Sequence, residues 1–75
     1  MPFIDIKVIQ GVFTPEEKRE LVERVSEAAI AVEGEALRPF HVTAITETPS
    51  GEWAVGGRTY TAEDVKAARS AATTV

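Results

Sequence analysis

The chain has 75 residues, a formal net charge of -4, no cysteine and a single histidine. A chain this short buries only about 60–65% of the surface that it exposes when unfolded, so its own core is marginal. Without cysteine it has neither a disulfide framework nor a Cys/His zinc site, which leaves self-association as the source of further burial. The sequence has twelve acidic and eight basic residues and no Lys/Arg run, which argues against a surface that binds nucleic acid or an anionic membrane.

The first ten residues do not form a signal peptide, because Asp5 and Lys7 interrupt the apolar residues. No apolar run approaches the roughly 18 residues that a membrane span needs. We therefore expect a cytoplasmic protein, without a membrane or nucleic-acid partner, that forms a single domain over residues 1–75.

Near-alternation of β-branched and charged residues predicts a strand over residues 3–9, which Gly11 ends. Thr14, Pro15 and Glu17 then supply an N-cap, a proline at the first helical position and a capping-box glutamate, so a helix is predicted from Thr14. Gly34 is its predicted C-terminal stop. The apolar spacing predicts that the helix buries one stripe, made of Leu21, Val25, Ala28, Ala29 and Val32.

The pair Arg38-Pro39 predicts extended chain that leads into a second strand over residues 40–47. Two strands joined by one long helix most often pair in parallel. Residues 52–55 lie between glycines and predict a small strand or hairpin, and residues 61–64 predict the start of a helix that ends near Ser70. The predicted class is α+β: an oligomeric β-α-β unit with parallel strands, a small C-terminal hairpin and a short C-terminal helix.

Most catalytic constellations are missing from the sequence, which has no cysteine nucleophile, glycine-rich phosphate loop or helical histidine pair. Pro2 is different, because removal of Met1 would make it a secondary amine at the start of a strand. An α-amino group has an ordinary pKa of about 7.7–8.0, which desolvation or a nearby cation lowers, and such an amine suits proton abstraction next to a carbonyl. Against this, a proline at position 2 is common, and this feature alone favours an accidental proline.

The order of these features resembles the 4-oxalocrotonate tautomerase family over residues 2 to about 57. The most specific parts are Pro2 and the stretch Gly51-x-Trp53-x-Val55-Gly56-Gly57. The resemblance implies a β-α-β fold assembled as a homohexamer or related oligomer. It also implies an enol–keto tautomerase, an isomerase that acts on a small-molecule substrate and needs no metal or organic cofactor.

The resemblance also implies roles for individual residues. Pro2 matches the catalytic base and acid of the family, and Trp53 matches the aromatic wall that keeps the surroundings of the amine apolar. Phe3, Ile9 and Val55 match apolar positions of the pocket. A substrate site lined mainly by apolar side chains around one amine is therefore expected.

Two family arginines that bind carboxylates and polarise the carbonyl are replaced in this chain. Val12-Phe13 follows Gly11 where the first would stand, and Val42 occupies the position of the second. The predicted substrate is therefore an aryl-pyruvate enol or another small unsaturated 2-hydroxy or 2-oxo acid, more apolar than the dicarboxylates of the family. Arg38 and His41 are the polar candidates for the site, with Arg58 considered beside them.

Two alternatives stay open at this point. A non-catalytic oligomeric binding homologue would also have lost the arginines. A hydratase or dehalogenase relative would use the same amine to assist addition of water, with Glu52 as the obvious carboxylate beside Trp53.

Overall fold

A computed structural model of the chain describes residues 2–73. The elements follow the order strand, helix, 3-10 helix, strand, hairpin and helix. Their bounds are β1 Phe3–Ile9, α1 Pro15–Glu33, a 3-10 helix Glu35–Phe40, β2 Val42–Thr48, β3 Trp53–Val55, β4 Arg58–Tyr60 and α2 Ala62–Thr73.

Strands β1 and β2 form a two-stranded parallel sheet, as the strand–helix–strand order predicts. The N–H of Val42 donates to the Pro2 carbonyl at 3.1 Å, so the two strands meet at their starts. At the other end the N–H of Gln10 donates to the Thr48 carbonyl at 2.8 Å. Pairing of start with start and of end with end is what parallel strands require.

Helix α1 begins and ends where the sequence predicts. The Glu17 N–H donates to the Thr14 hydroxyl at 3.1 Å, and the Thr14 N–H donates to the Glu17 carboxylate at 3.0 Å, which completes the capping box. Gly34 ends the helix at a φ of 107°, a conformation that residues with a side chain rarely adopt, and its N–H donates to the Ile30 carbonyl at 2.8 Å.

The prediction of extended chain at Arg38-Pro39 is wrong, because Glu35–Phe40 forms a 3-10 helix that contains Pro39. Proline has no N–H to donate, but its fixed φ fits a 3-10 turn. The hydrogen bonds of this segment come from donors before and after Pro39. The Leu37 N–H donates to the Gly34 carbonyl at 3.1 Å, and the His41 N–H donates to the Leu37 carbonyl at 3.0 Å. Strand β2 accordingly begins at Val42 and not at residue 40.

Contacts group the chain into two compact units. The helical unit comprises the residues up to Ile6 together with Thr14–Thr46, and the hairpin unit comprises Lys7–Phe13 together with the described residues from Glu47 onward. Pro2 belongs to the first unit and Trp53 to the second.

In the helical unit the stripe that α1 buries differs from the predicted one. Ile30 is 4% exposed and is the buried residue of the helix, whereas Val32 is 88% exposed and Ala28 is also exposed. The inward side carries polar residues as well, because the Ser26 hydroxyl donates to the Thr43 hydroxyl at 2.7 Å. The other three residues of the predicted stripe are half-buried, so the apolar pattern is wrong at Ala28 and Val32 and finds only part of the inward face.

The hairpin unit has a small core of Ile9, Val12 and Ala62. Trp53 pairs with Tyr60 across the antiparallel strands β3 and β4, and both side chains pack against that core. Helix α2 starts with a second reciprocal cap, in which the Thr61 N–H donates to the Asp64 carboxylate at 2.9 Å and the Asp64 N–H donates to the Thr61 hydroxyl at 3.2 Å. The predicted helix start is therefore confirmed, but the helix runs to Thr73, past the predicted end near Ser70.

The start of α2 is also fixed to the rest of the hairpin unit. The Ala62 N–H donates to the Ser50 hydroxyl at 2.8 Å. Gly11 has a φ of 92°, and a Cβ on it would lie 3.5 Å from the Ala62 side chain. The turn after β1 therefore lies next to the first turn of α2. Among residues 2–73, no helix has the length and apolar content that crossing a bilayer requires.

Candidate functional site

Pro2 lies at the entrance of β1, where the sheet holds its backbone. Its side chain is half-buried, and its carbonyl accepts the hydrogen bond from Val42. The predicted apolar neighbours of the helical unit are more open, since Phe3 is 65% exposed and Val42 is 38% exposed. The nitrogen of Pro2 is thus attached to a residue whose position the parallel strand pair fixes.

An apolar cleft of about 250 Å³ lies in the hairpin unit. Its walls come from β1, the turn after it, the hairpin and α2, namely from Lys7, Val8, Ile9, Val12, Phe13, Trp53 and Val65. Of the predicted pocket residues, Ile9 and Trp53 lie in these walls, while Val55 belongs to the same unit but is 63% exposed and does not line the cleft. The site roles of all the predicted residues stay predictions.

Sequence reasoning missed three residues of this cleft, Lys7, Val8 and Val65. Alternation along β1 places Lys7 and Val8 on opposite faces, so no single-face pattern selects both. Val65 was detectable, since it is an apolar residue spaced for the inner face of α2. No chemical motif marks it, because only the fold places that helix beside the cleft.

Apolar residues occupy the turn where a family arginine is expected. Val12 is 7% exposed in the core of the hairpin unit, and Phe13 is half-buried against it. Both contribute to the cleft walls. This end of the cleft therefore offers apolar surface where the family pattern places a guanidinium.

Arg38 clasps two carboxylates on the surface of the helical unit. Its Nη1 and Nη2 donate to Glu27 at 2.7 and 3.0 Å, and its Nε and Nη2 donate to Glu35 at 2.9 and 2.8 Å. These hydrogen bonds lower the pKa of both carboxyl groups and raise the pKa of the guanidinium. A substrate carboxylate would have to displace one of the two glutamates to reach Arg38.

We expect the clasp to make stability depend on pH in the acid range. A carboxyl whose pKa is lowered by folding stabilises the folded state above the ordinary glutamate pKa of 4.5, and this contribution is lost as the pH falls through the lowered value. An Arg38→Gln variant should therefore lose less stability than the wild type between about pH 5 and about pH 3, measured by urea unfolding.

Arg24→Gln is the matched control for that measurement. It removes the same charge from an exposed pair on α1, in which Arg24 lies 3.1 Å from Glu20. Its pH dependence should follow the wild type. If both variants showed the same weakened pH dependence of stability, the cause would be net charge, and the hydrogen bonds of Arg38 would not explain it.

His41 lies in a polar network inside the helical unit. Its side chain is 2% exposed, its Nδ1 lies 3.2 Å from both oxygens of Glu33, and its Nε2 lies 2.6 Å from the Thr43 hydroxyl. A ring that carries its proton on Nδ1 fits all contacts, with Ser26 donating to Thr43, Thr43 to Nε2, and Nδ1 to Glu33. Both ring nitrogens are thus bonded within the chain, and a substrate contact for His41 stays a prediction.

The remaining polar residues that the sequence singled out lie in the hairpin unit. The Arg58 guanidinium carbon lies 4.9 Å from the centroid of the Tyr60 ring. Glu52 is exposed beside Trp53. In the part of the chain that the structure describes, no three His, Asp or Glu side chains are grouped to hold a metal ion.

Comparison with known proteins places the chain in one family. The family model described as Tautomerase enzyme matches residues 2–63. YwhB, a homologue of 4-oxalocrotonate tautomerase, is 34% identical, with 77% of this chain and 92% of YwhB covered at a TM-score of 0.68. No curated protein sequence matches the chain.

Two further solved structures extend the likeness. The heterohexamer 4-oxalocrotonate tautomerase from Chloroflexus aurantiacus J-10-fl is 30% identical, covering 79% of this chain and 92% of its own at a TM-score of 0.69. TomN, a homologue in the tomaymycin biosynthetic pathway, is 28% identical and covers 93% and 95%, at a TM-score of 0.67. The chain therefore belongs to the tautomerase family and is a homologue of 4-oxalocrotonate tautomerase.

Proposed function

We propose that the chain is a cofactor-independent enol–keto tautomerase whose base is the amine of Pro2 after Met1 is removed. The proposal depends mainly on the position of Pro2. It is the first residue that the family model matches, and its carbonyl accepts the hydrogen bond from Val42 at the start of the parallel sheet. A base on a fixed strand loses little freedom when it meets a substrate, which favours proton transfer.

The reaction needs only a proton shuttle. The neutral amine accepts the proton of the enol hydroxyl, the oxygen electron pair forms the C=O bond, and the C=C pair takes a proton at carbon from the resulting ammonium. The amine is thereby restored, and the product has the same atoms as the substrate. An ordinary α-amino pKa of about 7.7–8.0 leaves part of the amine neutral near pH 7, which suits both steps.

The proposed substrate is an aryl-pyruvate enol or another small unsaturated 2-hydroxy or 2-oxo acid of low polarity. The support is the composition of the cleft, in which Val12, Phe13 and Trp53 present apolar surface where family members acting on dicarboxylates carry charge. Aromatic rings fit such walls because they bury large apolar area and pack against other rings.

We further propose that the chain works as a homo-oligomer, with a hexamer as the expected form. A small domain gains from partners the burial that it lacks alone, and Phe3, Val32 and Phe40 leave apolar surface exposed in the helical unit. A related tautomerase is a heterohexamer. Light scattering at several protein concentrations measures the assembly directly.

The function is tested with purified protein whose mass shows loss of Met1. We expect it to accelerate ketonisation of the enol of phenylpyruvate more than that of a dicarboxylate dienol. The rate is measured from the loss of enol absorbance. Failure with both substrates would contradict the proposal and favour the non-catalytic binding homologue. Turnover of a haloacrylate instead would favour the hydratase or dehalogenase reaction.

A further inference from the structure

Helix α2 presents one inward stripe to the hairpin unit. Ala62, Val65 and Arg69 follow each other at spacings of three and four residues, which places them on one face of a helix. Ala62 is 8% exposed in the core, and Val65 lines the apolar cleft. The third residue, Arg69, is cationic and exposed.

The Arg69 guanidinium lies beside the cleft. Its central carbon is 5.0 Å from the centroid of the Phe13 ring, and Phe13 is itself a wall of the cleft. A guanidinium can rest its face on an aromatic ring while its in-plane N–H groups bind a carboxylate. Lys7 supplies a cationic side chain in the walls themselves.

The size and lining of the cleft select a ligand of limited bulk. A volume of about 250 Å³ exceeds the roughly 150 Å³ apolar cavity that holds benzene in an engineered protein. It therefore has room for one aromatic ring with a short substituent. Apart from Lys7 the walls are apolar, and a second cation, Arg69, lies over the Phe13 ring. The complementary molecule is therefore an aromatic ring that carries a carboxylate.

We propose that α2 makes this cleft a binding site for a small aromatic carboxylate, with the ring between Phe13, Trp53 and Val65 and the carboxylate on Arg69. Arg69 would thus bind the carboxylate in place of the two family arginines that this chain lacks. Both Val65 and Arg69 lie beyond residue 63, where the family match ends. The inference rests on the proposed function only in treating this acid as the substrate class, because binding does not need proton transfer.

Trp53 is the single tryptophan of the chain and lies in the cleft wall, so its fluorescence reports binding directly. The probes are phenylacetate and the neutral phenylacetamide, neither of which is an enol substrate. We expect phenylacetate to bind the wild type more tightly than phenylacetamide. Arg69→Gln should weaken phenylacetate about tenfold and leave phenylacetamide unchanged, with partial recovery in Arg69→Lys.

Arg58→Gln is the matched control, because it removes another guanidinium that lies over an aromatic ring in the same unit. Its ring, Tyr60, is not a wall of the cleft, whereas Phe13 beneath Arg69 is, so this variant should bind both probes as the wild type does. The inference is overturned if both probes bind with equal affinity, if neither binds, or if Arg58→Gln weakens phenylacetate as much as Arg69→Gln. Circular dichroism of each variant checks that it is folded.

The same titration on Pro2→Ala separates this inference from the proposed function. Binding that keeps its dependence on Arg69 supports the site even if the wild type fails to turn over any enol. Turnover by a wild type whose phenylacetate affinity does not depend on Arg69 would keep the function and overturn the role of α2.

Discussion

Replacing Pro2 with alanine is expected to lower kcat for enol ketonisation by about 10²- to 10⁴-fold, the range that a positioned general base contributes. Alanine leaves a primary amine on a more flexible residue, so the base is both altered and less fixed in direction. The measurement is a stopped-flow assay of enol loss with protein of confirmed mass. KM should change less than kcat, because the amine acts in the proton-transfer step and contributes little to binding of the substrate.

Two further forms make the result specific to the amine. Pro15→Ala changes a proline at the first position of α1, where alanine is also a good helix former, and should keep wild-type turnover. A form that retains Met1 carries an amide nitrogen at Pro2 and should be as inactive as Pro2→Ala. Full activity in Pro2→Ala would refute the mechanism while leaving the fold unaffected.

Replacing His41 with alanine is expected to lower the free energy of unfolding by about 3 kcal/mol, because it opens a cavity and leaves Glu33 and Thr43 without their shared partner. The His41 side chain is 2% exposed, so water does not readily replace it. Urea unfolding at one fixed protein concentration gives the value, since the stability of an oligomer depends on concentration.

A double-mutant cycle tests whether the network causes that loss. Thr43→Val removes the hydroxyl that lies 2.6 Å from His41 and 2.7 Å from Ser26 but keeps the shape of the side chain. We expect the two changes to be non-additive by about 0.5–3 kcal/mol, as for other contacting residues. Strict additivity, together with a small effect of His41→Ala, would show that the hydrogen bonds contribute little.

Most of the fold could be predicted from local patterns. Strand β1, the capping box at Thr14 and the stop at Gly34 each depend on residues close together in the chain, and the structure confirms them. The parallel pairing also follows, because one long helix between two strands allows few other topologies. These features are encoded over a few residues and need no knowledge of distant contacts.

The errors arise where tertiary contacts decide. Val32 was expected to be buried because it continues an apolar spacing, but the inward line of α1 passes through Ser26 and Glu33, whose polar groups bond to Thr43 and His41. A hydrophobicity pattern has no means of recognising a polar residue that is satisfied inside the fold. The prediction of extended chain at Pro39 is wrong because residues before and after the proline supply the hydrogen bonds of the 3-10 helix.

The candidate site divides in the same way. The resemblance to a family supplied Pro2 and Trp53, each of which stands in a recognisable stretch of sequence. Val65 and Arg69 stand in no such stretch, and only the packing of α2 on Phe13 relates them to a ligand. Residues that act through the position of a helix are therefore the part of the site that sequence patterns leave out.

The position of Gly11 and Val12 beside the start of α2 bears on how this protein can change its substrate. Val12 is 7% exposed, so an arginine placed there would bring a charge into the core that Val12 shares with Ala62 of α2. The turn and the helix must consequently be altered together. A change toward a dicarboxylate substrate therefore involves substitutions in two segments that lie far apart in the sequence.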